Sequence, residues 1–236
     1  AIHSVFILKE NFLFIEEWIK HHLKIGFNTF YLYDNSKVQV AGQFDKKNKY
    51  FTFLYVGRML LDKGLHELGS AISSINSKQV VCNLVLCGFE GNANHSNIPS
   101  AQLKEWHNLP GIQWIGPSDH VETVMSQADA IVLPSYREGM PKTILEAFAM
   151  SIPVVATNVA GCSNIVDDGV NGMLCLPRDI KSLEDKLVQM MGIGHKARVK
   201  MGLSGRAKVE NNYDEKIVVN ALEKTVKEIE TLKSLK

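Results

Sequence analysis

From residue 51 onward, short apolar and β-branched runs alternate with longer segments of helical periodicity. The apolar runs predict six strands, at 51–56, 80–87, 112–115, 130–133, 153–157 and 172–176. The other segments predict helices, at about 64–76, 100–107, 120–128, 141–150, 161–166, 180–191, 195–211 and 214–234. Several strands are almost wholly apolar, which is typical of strands covered by helices on both faces. The pattern therefore predicts an α/β fold with a doubly wound, six-stranded parallel sheet.

The first 36 residues form a separate pattern. Residues 3–8 and 27–36 predict strands on either side of an amphipathic helix at 11–26, which ends at Gly26. This is a βαβ-like N-terminal extension. The polar segment 37–50 is interpreted as a linker, so that the main domain covers 51–236.

The composition mainly argues against certain classes of protein. The 236 residues are 45% hydrophobic and 22% charged, with a formal net charge of +1, which gives no indication of nucleic-acid binding. No apolar run approaches the ~20 residues of a membrane span. We expect a cytoplasmic protein whose lysine-rich last helix makes at most peripheral contact with the inner face of a membrane. The four cysteines (Cys82, Cys87, Cys162, Cys175) are expected to be reduced and mostly buried.

The ligand site is expected where the strand order reverses. In an open parallel sheet, ligands bind at the carboxyl ends of the strands, and the common order 3-2-1-4-5-6 puts the reversal between the first and fourth strands. The loops after these strands, 57–64 and 134–141, are rich in Gly, Arg, Lys and Glu. The first loop contains Gly57, Arg58, Lys63 and Gly64, and its two cations suit a diphosphate, although unligated surface cations remain an alternative.

The second loop leads into a predicted helix that starts at Pro141, a favoured first-turn residue. Backbone N–H groups at the start of a helix lack helical acceptors, so this turn can bind an anion. Ser135 could cap the helix or contact the ligand. The candidate ligand-binding positions of this turn are Ser135, Gly139, Met140, Pro141, Lys142 and Thr143.

Two acids follow in this stretch. Glu146 lies on a helix that is apolar nearly all round, so we expect it to be buried, which is costly for an unpartnered carboxylate. An ion pair with Lys142 is one solution, and hydrogen bonds to two ligand hydroxyls, such as a ribose diol, are the favoured one. Glu138, in the loop, is expected to be more exposed, and contact with the ligand or with solvent are equally consistent with its position.

No metal cofactor is predicted. The histidines show no ligand spacing, the adjacent His21 and His22 would point about 100° apart on a helix, and the chain has no Asp-x-Asp motif. A dinucleotide-binding oxidoreductase is also disfavoured, because the first strand leads into "VGRMLLDKG" rather than G-x-G-x-x-G.

The segments "FLYVGRMLLDKG", "LPGIQWIG" and "ADAIVLPSYREGMPKTILEAFAMSIPVVATNVAGCSNIVDDGVNGMLC" carry a family resemblance. Through them, residues 51–236 resemble the C-terminal, Rossmann-like, donor-binding domain of the GT-B-fold glycosyltransferases of group 1, also called family 4. Glu138 and Glu146 match the E-x7-E signature of that family. Residues 3–36 instead resemble the start of GT-A-type transferases of the family 92 and family 2 kind.

The resemblance implies retaining hexosyl transfer, without a metal, from a nucleotide sugar to a lipid-linked or polysaccharide acceptor, with UDP-hexose as the expected donor. It implies that Arg58 and Lys63 bind the pyrophosphate, that Glu138 lies near the donor sugar, and that Glu146 binds the ribose. The candidate catalytic residues are accordingly Arg58, Lys63 and Glu138. The backbone at 139–143 would bind phosphate or sugar hydroxyls. Because the pattern contains no acceptor-binding domain, an inactive nucleotide-sugar-binding module, or a subunit that needs a separate acceptor-domain partner, is the alternative.

Overall fold

The computed structural model describes residues 5–7, 32–34, 50–79, 81–90, 96–214 and 217, and every structural statement below concerns these residues. Strands β1 (Val5–Ile7) and β2 (Leu32–Asp34) pair in parallel as a two-stranded sheet. This pairing agrees with the predicted βαβ-like extension. The helix predicted between the two strands and the predicted linker up to residue 49 lie outside the described residues.

The main domain contains a six-stranded, all-parallel sheet. Its strands are β3 (Phe51–Val56), β4 (Cys82–Cys87), β5 (Ile112–Gly116), β6 (Ala130–Leu133), β7 (Val154–Thr157) and β8 (Gly172–Cys175). The order across the sheet is β5-β4-β3-β6-β7-β8. This is the predicted order 3-2-1-4-5-6, so the reversal between β3 and β6 is confirmed. The strand bounds differ from the prediction by at most two residues at either end.

Helices cover both faces of this sheet. They are α1 (Leu65–Ile75), α2 (Ser100–His107), α3 (Val121–Met125), α4 (Lys142–Ala149), α5 (Ala160–Ser163), α6 (Ile180–Gly192) and α7 (His195–Asn212), and a 3₁₀ turn at Leu61–Lys63 precedes α1. Helix α1 packs against α6, and α4 packs against α7. The last predicted helix, at 214–234, lies almost entirely outside the described residues. The predicted doubly wound α/β fold is confirmed.

The core lies between the sheet and its helices because the central strands are apolar on both faces. All four residues of β6 and all four of β7 are buried, as the near-continuous hydrophobic sequence predicts. Large side chains such as Phe53, Leu54 and Phe148 are at most 1% exposed. Burial of each contributes about 1.5–3 kcal/mol. The packed strands give the loops at their carboxyl ends a rigid base.

Helix α4 corrects one expectation. The prediction that it is buried nearly all round is wrong, because it buries Ile144, Ala147 and Phe148 but leaves Lys142 and Glu146 exposed. Residues 142 and 146 are four apart, so they share one face of the helix. Leu145 is half-buried, so it lies between the buried and the exposed face. The helix as a whole is amphipathic. Glu146 therefore faces solvent.

All four cysteines are buried, as predicted, and none forms a disulfide. Burial raises the pKa of Cys82, Cys162 and Cys175 to about 12, so these thiols stay protonated at neutral pH. None of the helices in the described ranges is both long and apolar enough to cross a membrane.

Candidate functional site

The loops that follow β3 and β6 meet at the carboxyl edge of the sheet. The amide of Tyr136 donates to the carbonyl of Asp62 at 2.9 Å, which joins the second loop to the first. Gly64 makes this approach possible, because a Cβ there would lie 2.1 Å from the carbonyl oxygen of Pro134. Its φ of 69° is also a conformation that glycine adopts without strain. The two loops that follow the first and fourth strands of the main sheet are therefore in direct contact.

Lys63 and Glu138 form an ion pair across this contact. The Lys63 ammonium lies 2.7 Å from Glu138 Oε1, and the two side chains are 18% and 13% exposed. The expectation that Glu138 is the more exposed of the two acids is thus wrong. The loop is bound to α1 through the Tyr136–Glu67 hydrogen bond, and the Glu138 carboxylate points to the lysine instead of to solvent. Two predicted site residues are brought together that lie far apart in the sequence.

Glu146 lies in the opposite environment. Its side chain is exposed on α4, and no ion pair joins it to Lys142 in the part of the chain that the structure describes. The alternative that Lys142 stabilises a buried Glu146 is therefore wrong. The environments of the two acids are reversed from the prediction. Both Lys142 and Glu146 are accessible to a ligand from solvent.

A buried tyrosine fixes the backbone of the loop at Arg58 by a hydrogen bond. The hydroxyl of Tyr55, which is fully buried, donates to the carbonyl of Arg58 at 2.8 Å, while the Arg58 side chain is exposed. Burial raises the pKa of Tyr55, and the charges of Glu138 and Asp62 raise it further, so the phenol remains a donor. A Cβ at Gly57 would lie 2.7 Å from this hydroxyl. No sequence pattern distinguishes Tyr55 from an ordinary buried strand residue.

The start of α4 has the properties of an anion site. Pro141 is the N-cap residue, so the helix begins at Lys142, one position later than predicted, and it has no side-chain cap. The first-turn amides of Lys142 and Thr143 therefore have no helical acceptor. The Thr143 hydroxyl donates to the carbonyl of Val56 at 3.3 Å, which anchors the turn to the end of β3. Met140, just before the helix, is 62% exposed.

Ser135 does not cap the helix. Its side chain is fully buried, and its Oγ has no hydrogen-bond partner within the described residues. Its carbonyl accepts from the Thr157 hydroxyl at the end of β7. Ser135 therefore supports the loop from beneath rather than lining its open surface.

Three further contacts position this loop and were not predicted. A Cβ on Gly161, in α5, would lie 2.2 Å from the carbonyl oxygen of Glu138 and 2.6 Å from that of Gly139. The Tyr136 hydroxyl donates to Glu67 Oε1 at 2.6 Å, and Arg178 lies over the Tyr136 ring at 4.6 Å. These partners come from distant parts of the chain, so no local pattern reveals them.

In the ranges that the structure describes, no group of three or more His, Cys, Asp or Glu side chains is arranged to hold a metal ion. That donor binding needs no metal stays a prediction.

Comparison with known proteins assigns the chain to a family. The family described as "Glycosyl transferases group 1" matches residues 39–208, which include both loops, α4 and the Lys63–Glu138 pair. The chain belongs to the group 1 glycosyltransferases. The matched range gives no support to the resemblance of residues 3–36 to GT-A-type transferases, and both that resemblance and the proposed domain boundaries stay predictions.

One curated relative and two solved structures illustrate the similarity. The capsular polysaccharide biosynthesis glycosyltransferase CapM of Staphylococcus aureus is 30% identical over 200 residues, which are 84% of this chain and 51% of CapM. Sucrose-phosphate synthase from Thermosynechococcus elongatus superposes with a TM-score of 0.69 at 19% identity, over 98% of this chain and 59% of that one. HepE of Anabaena, in complex with UDP-glucose, superposes with a TM-score of 0.67 at 19% identity, over 76% and 49%. The chain thus spans about half the length of the curated relative CapM.

Proposed function

We propose that this chain is the donor-binding half of a retaining glycosyltransferase that transfers a hexose from a nucleotide sugar, UDP-hexose, to a lipid-linked or polysaccharide acceptor. The observation that carries the proposal is the Lys63–Glu138 pair at the reversal point of a group 1 sheet. Two comparisons support the substrate class: CapM is named for capsular polysaccharide biosynthesis, and HepE is in complex with UDP-glucose.

The donor diphosphate would lie between Arg58, Lys63 and the start of α4. An ammonium group has three donors, so Lys63 can keep its bond to Glu138 and still bind phosphate oxygens. The first-turn amides of α4 and the exposed Arg58 fork add further donors for an anion. When the sugar–phosphate bond breaks, negative charge develops on the departing nucleotide diphosphate, and these groups would stabilise it. This charge is the catalytic contribution that we assign to Arg58 and Lys63, and the site uses no metal for it.

The two acids would bind different parts of the donor. Glu146 is exposed and faces solvent on α4, so both its oxygens can accept from a ribose diol. Glu138 is held by Lys63 beside the phosphate position, where one carboxylate oxygen remains for the sugar. Gly139 and Met140 leave the backbone of the turn accessible from solvent, which suits contacts with sugar hydroxyls.

Titration calorimetry with UDP and with UDP-glucose tests the proposal on the full chain. We expect binding of both ligands, and weaker binding of both by Glu146→Ala. Lys181→Ala is a matched control, because Lys181 is an exposed ion-paired residue on α6 that has no role in the proposed site. Absence of binding, or binding that Glu146→Ala leaves unchanged, would contradict the proposed function.

A nucleotide-sugar-binding module without turnover is the second candidate, because the residues that the structure describes place the candidate donor site on one six-stranded sheet. Release of glucose from UDP-glucose separates the two candidates, measured with the chain alone and together with a separately produced acceptor-binding domain of a group 1 transferase. Release in either arm identifies an enzyme. Binding without release in both arms identifies the module.

A further inference from the structure

Tyr136 connects three segments of the chain at the candidate site. Its amide donates to the carbonyl of Asp62 at 2.9 Å, and its hydroxyl donates to Glu67 Oε1 on α1 at 2.6 Å. Its ring lies 4.6 Å beneath the guanidinium of Arg178, in the turn between β8 and α6. The proposed function assigns no role to Tyr136, Glu67 or Arg178.

These contacts lie next to the Lys63–Glu138 pair on both loops. Asp62 directly precedes Lys63, and Tyr136 stands two residues before Glu138. The backbone bond and the ion pair are therefore successive links between the same two loops. Movement of Tyr136 away from α1 would carry the Glu138 backbone with it. Such a movement would lengthen the 2.7 Å contact between the Glu138 carboxylate and the Lys63 ammonium and bend it away from its favoured geometry, which weakens it.

The chemistry of the contact explains why a tyrosine hydroxyl holds it. Oε2 of Glu67 is buried without a hydrogen-bond partner in the described part of the chain, so the Tyr136 hydroxyl is the donor that stabilises this carboxylate. Burial, followed by the hydrogen bond to Glu67 and its charge, raises the pKa of Tyr136 to about 12, so the phenol keeps its proton at neutral pH.

Arg178 completes the contact from the other side. Its guanidinium covers the ring face of Tyr136, and its positive charge lowers the pKa of the phenol, opposite to the effect of Glu67. The backbone of Arg178 has a φ of 60°, which is uncommon for a residue with a Cβ. The cation and the carboxylate therefore hold Tyr136 between them.

We propose that Tyr136 is a positioning residue of the donor site: held by Glu67 and Arg178, it keeps the loop after β6 at the position where Glu138 meets Lys63, so that Lys63 is aligned for a nucleoside diphosphate. This inference rests on the proposed function, because it concerns the affinity of the same site.

Titration calorimetry with UDP on the full chain tests it. Tyr136→Phe removes only the hydroxyl, and we expect it to raise the Kd for UDP about 3- to 10-fold, the equivalent of one lost hydrogen bond. Glu67→Ala should have a similar effect, whereas Glu67→Gln retains an acceptor oxygen and should remain within about 2-fold of the unchanged chain. Tyr213→Phe is the matched control, because the Tyr213 hydroxyl donates to the Asn164 carbonyl away from the two loops.

A double-mutant cycle with Lys63→Met separates positioning from general stability. Lys63→Met should raise the Kd for UDP about 10-fold or more in the unchanged chain, but by much less in the Tyr136→Phe background, because the lysine is then already misaligned. Additive effects of the two changes would overturn the inference and leave the proposed function intact. If the unchanged chain does not bind UDP, the proposed function fails and the inference fails with it.

Arg178→Leu is a second, independent test of the positioning role of Tyr136. Arg178 is exposed, so its replacement does not open the core, yet it removes the cation above the Tyr136 ring. We expect the Kd for UDP to rise about 2- to 3-fold, an effect that should be absent when Tyr136→Phe is already present. An unchanged Kd in Arg178→Leu, together with an unchanged Kd in Tyr136→Phe, would contradict the proposed role.

Discussion

Glu138 and Glu146 belong to one short motif, but Glu138 lies in a loop, 13% exposed and bound to Lys63, whereas Glu146 is exposed on α4. The position of Glu146 follows from the helix itself: once Ile144, Ala147 and Phe148 face the core, residue 146 faces outward. Glu138 has no such periodicity to place it. Its position depends on packing from parts of the chain that are remote in sequence.

The difference shows how one motif can combine a carboxylate that is fixed before the ligand binds, Glu138, with one that the ligand has to order, Glu146. A carboxylate held by an ion pair in a constrained loop is preorganised for whatever binds beside it. A carboxylate on an exposed helix face has to be ordered by the ligand itself. Changes that disturb loop packing should therefore affect the Glu138 side of the site and spare the Glu146 side, and the four predictions below test this from the largest expected effect to the smallest.

Gly161→Ala should have the largest effect, because it disturbs the packing that holds the Glu138 loop. Its new methyl group would lie 2.2 Å from the carbonyl oxygen of Glu138, so the loop or α5 has to move. We expect a loss of about 1–3 kcal/mol of unfolding free energy, which lowers the Tm by about 2–4 °C per kcal/mol, together with weaker UDP binding. Gly192→Ala is the control, since a Cβ there meets nothing within 4 Å. Equal Tm values for Gly161→Ala and the unchanged chain would show that this packing does not hold the loop.

Neutralising each acid should separate the sugar from the nucleotide. Under the proposed function, Glu138→Gln weakens UDP-glucose binding about 10-fold and UDP binding about 3-fold, because Glu138 lies near the sugar and also aligns Lys63 for the diphosphate. Glu146→Gln should weaken the binding of UDP and of UDP-glucose by a similar factor, about 10-fold, because both ligands contain the ribose. Calorimetric titration of the two variants with both ligands gives the four constants. Equal effects of Glu138→Gln on UDP and UDP-glucose would contradict the assignment to the sugar.

The same two variants should differ in stability without any ligand. Glu138→Gln removes one partner of a mostly buried ion pair, and we expect a loss of about 1–2 kcal/mol in urea unfolding. Glu146→Gln changes an exposed side chain that has no ion pair in the described ranges, so its effect should stay within about 0.5 kcal/mol. A larger loss from Glu146→Gln than from Glu138→Gln would reverse the comparison.

The smallest expected effect is on the pH dependence of folding stability, and it involves the thiol of Cys162. Burial, followed by the charge of Glu138, raises the pKa of its thiol from 9.0 to about 12 in the folded chain. The unfolded chain therefore loses this proton first as pH rises above about 9, so the thiol's contribution to stability is complete below that pH and is lost between about 9 and 12.

In Cys162→Ala, stability measured by urea unfolding should thus fall less steeply between pH 9 and 11 than in the unchanged chain. Glu138→Gln should also make the fall shallower, but only slightly, whereas Glu146→Gln should leave it unchanged. A slope that Cys162→Ala does not alter would show that this thiol is not protected by the fold.

The fold was predictable in detail because hydrophobic periodicity carries it. Strands such as β6 and β7 are apolar on both faces, which in a parallel sheet means burial on both faces, and the strand order followed from the common topology. The location of the site followed from that order. The phase of α4 was misjudged, because an alanine-rich, leucine-containing helix looks apolar all round until its packing partner, α7, selects one face.

The sequence by itself determined the family, the doubly wound sheet and the two loops that form the site, because these depend on local periodicity and on motif spacing. Only the tertiary structure decided which acid is paired and which is exposed. Lys63 and Glu138 meet because β3 and β6 are neighbours in the sheet, and Gly161, Glu67 and Arg178 reach the loop from other segments. Contacts between residues distant in sequence depend on the packing of the whole domain, and no local pattern encodes them.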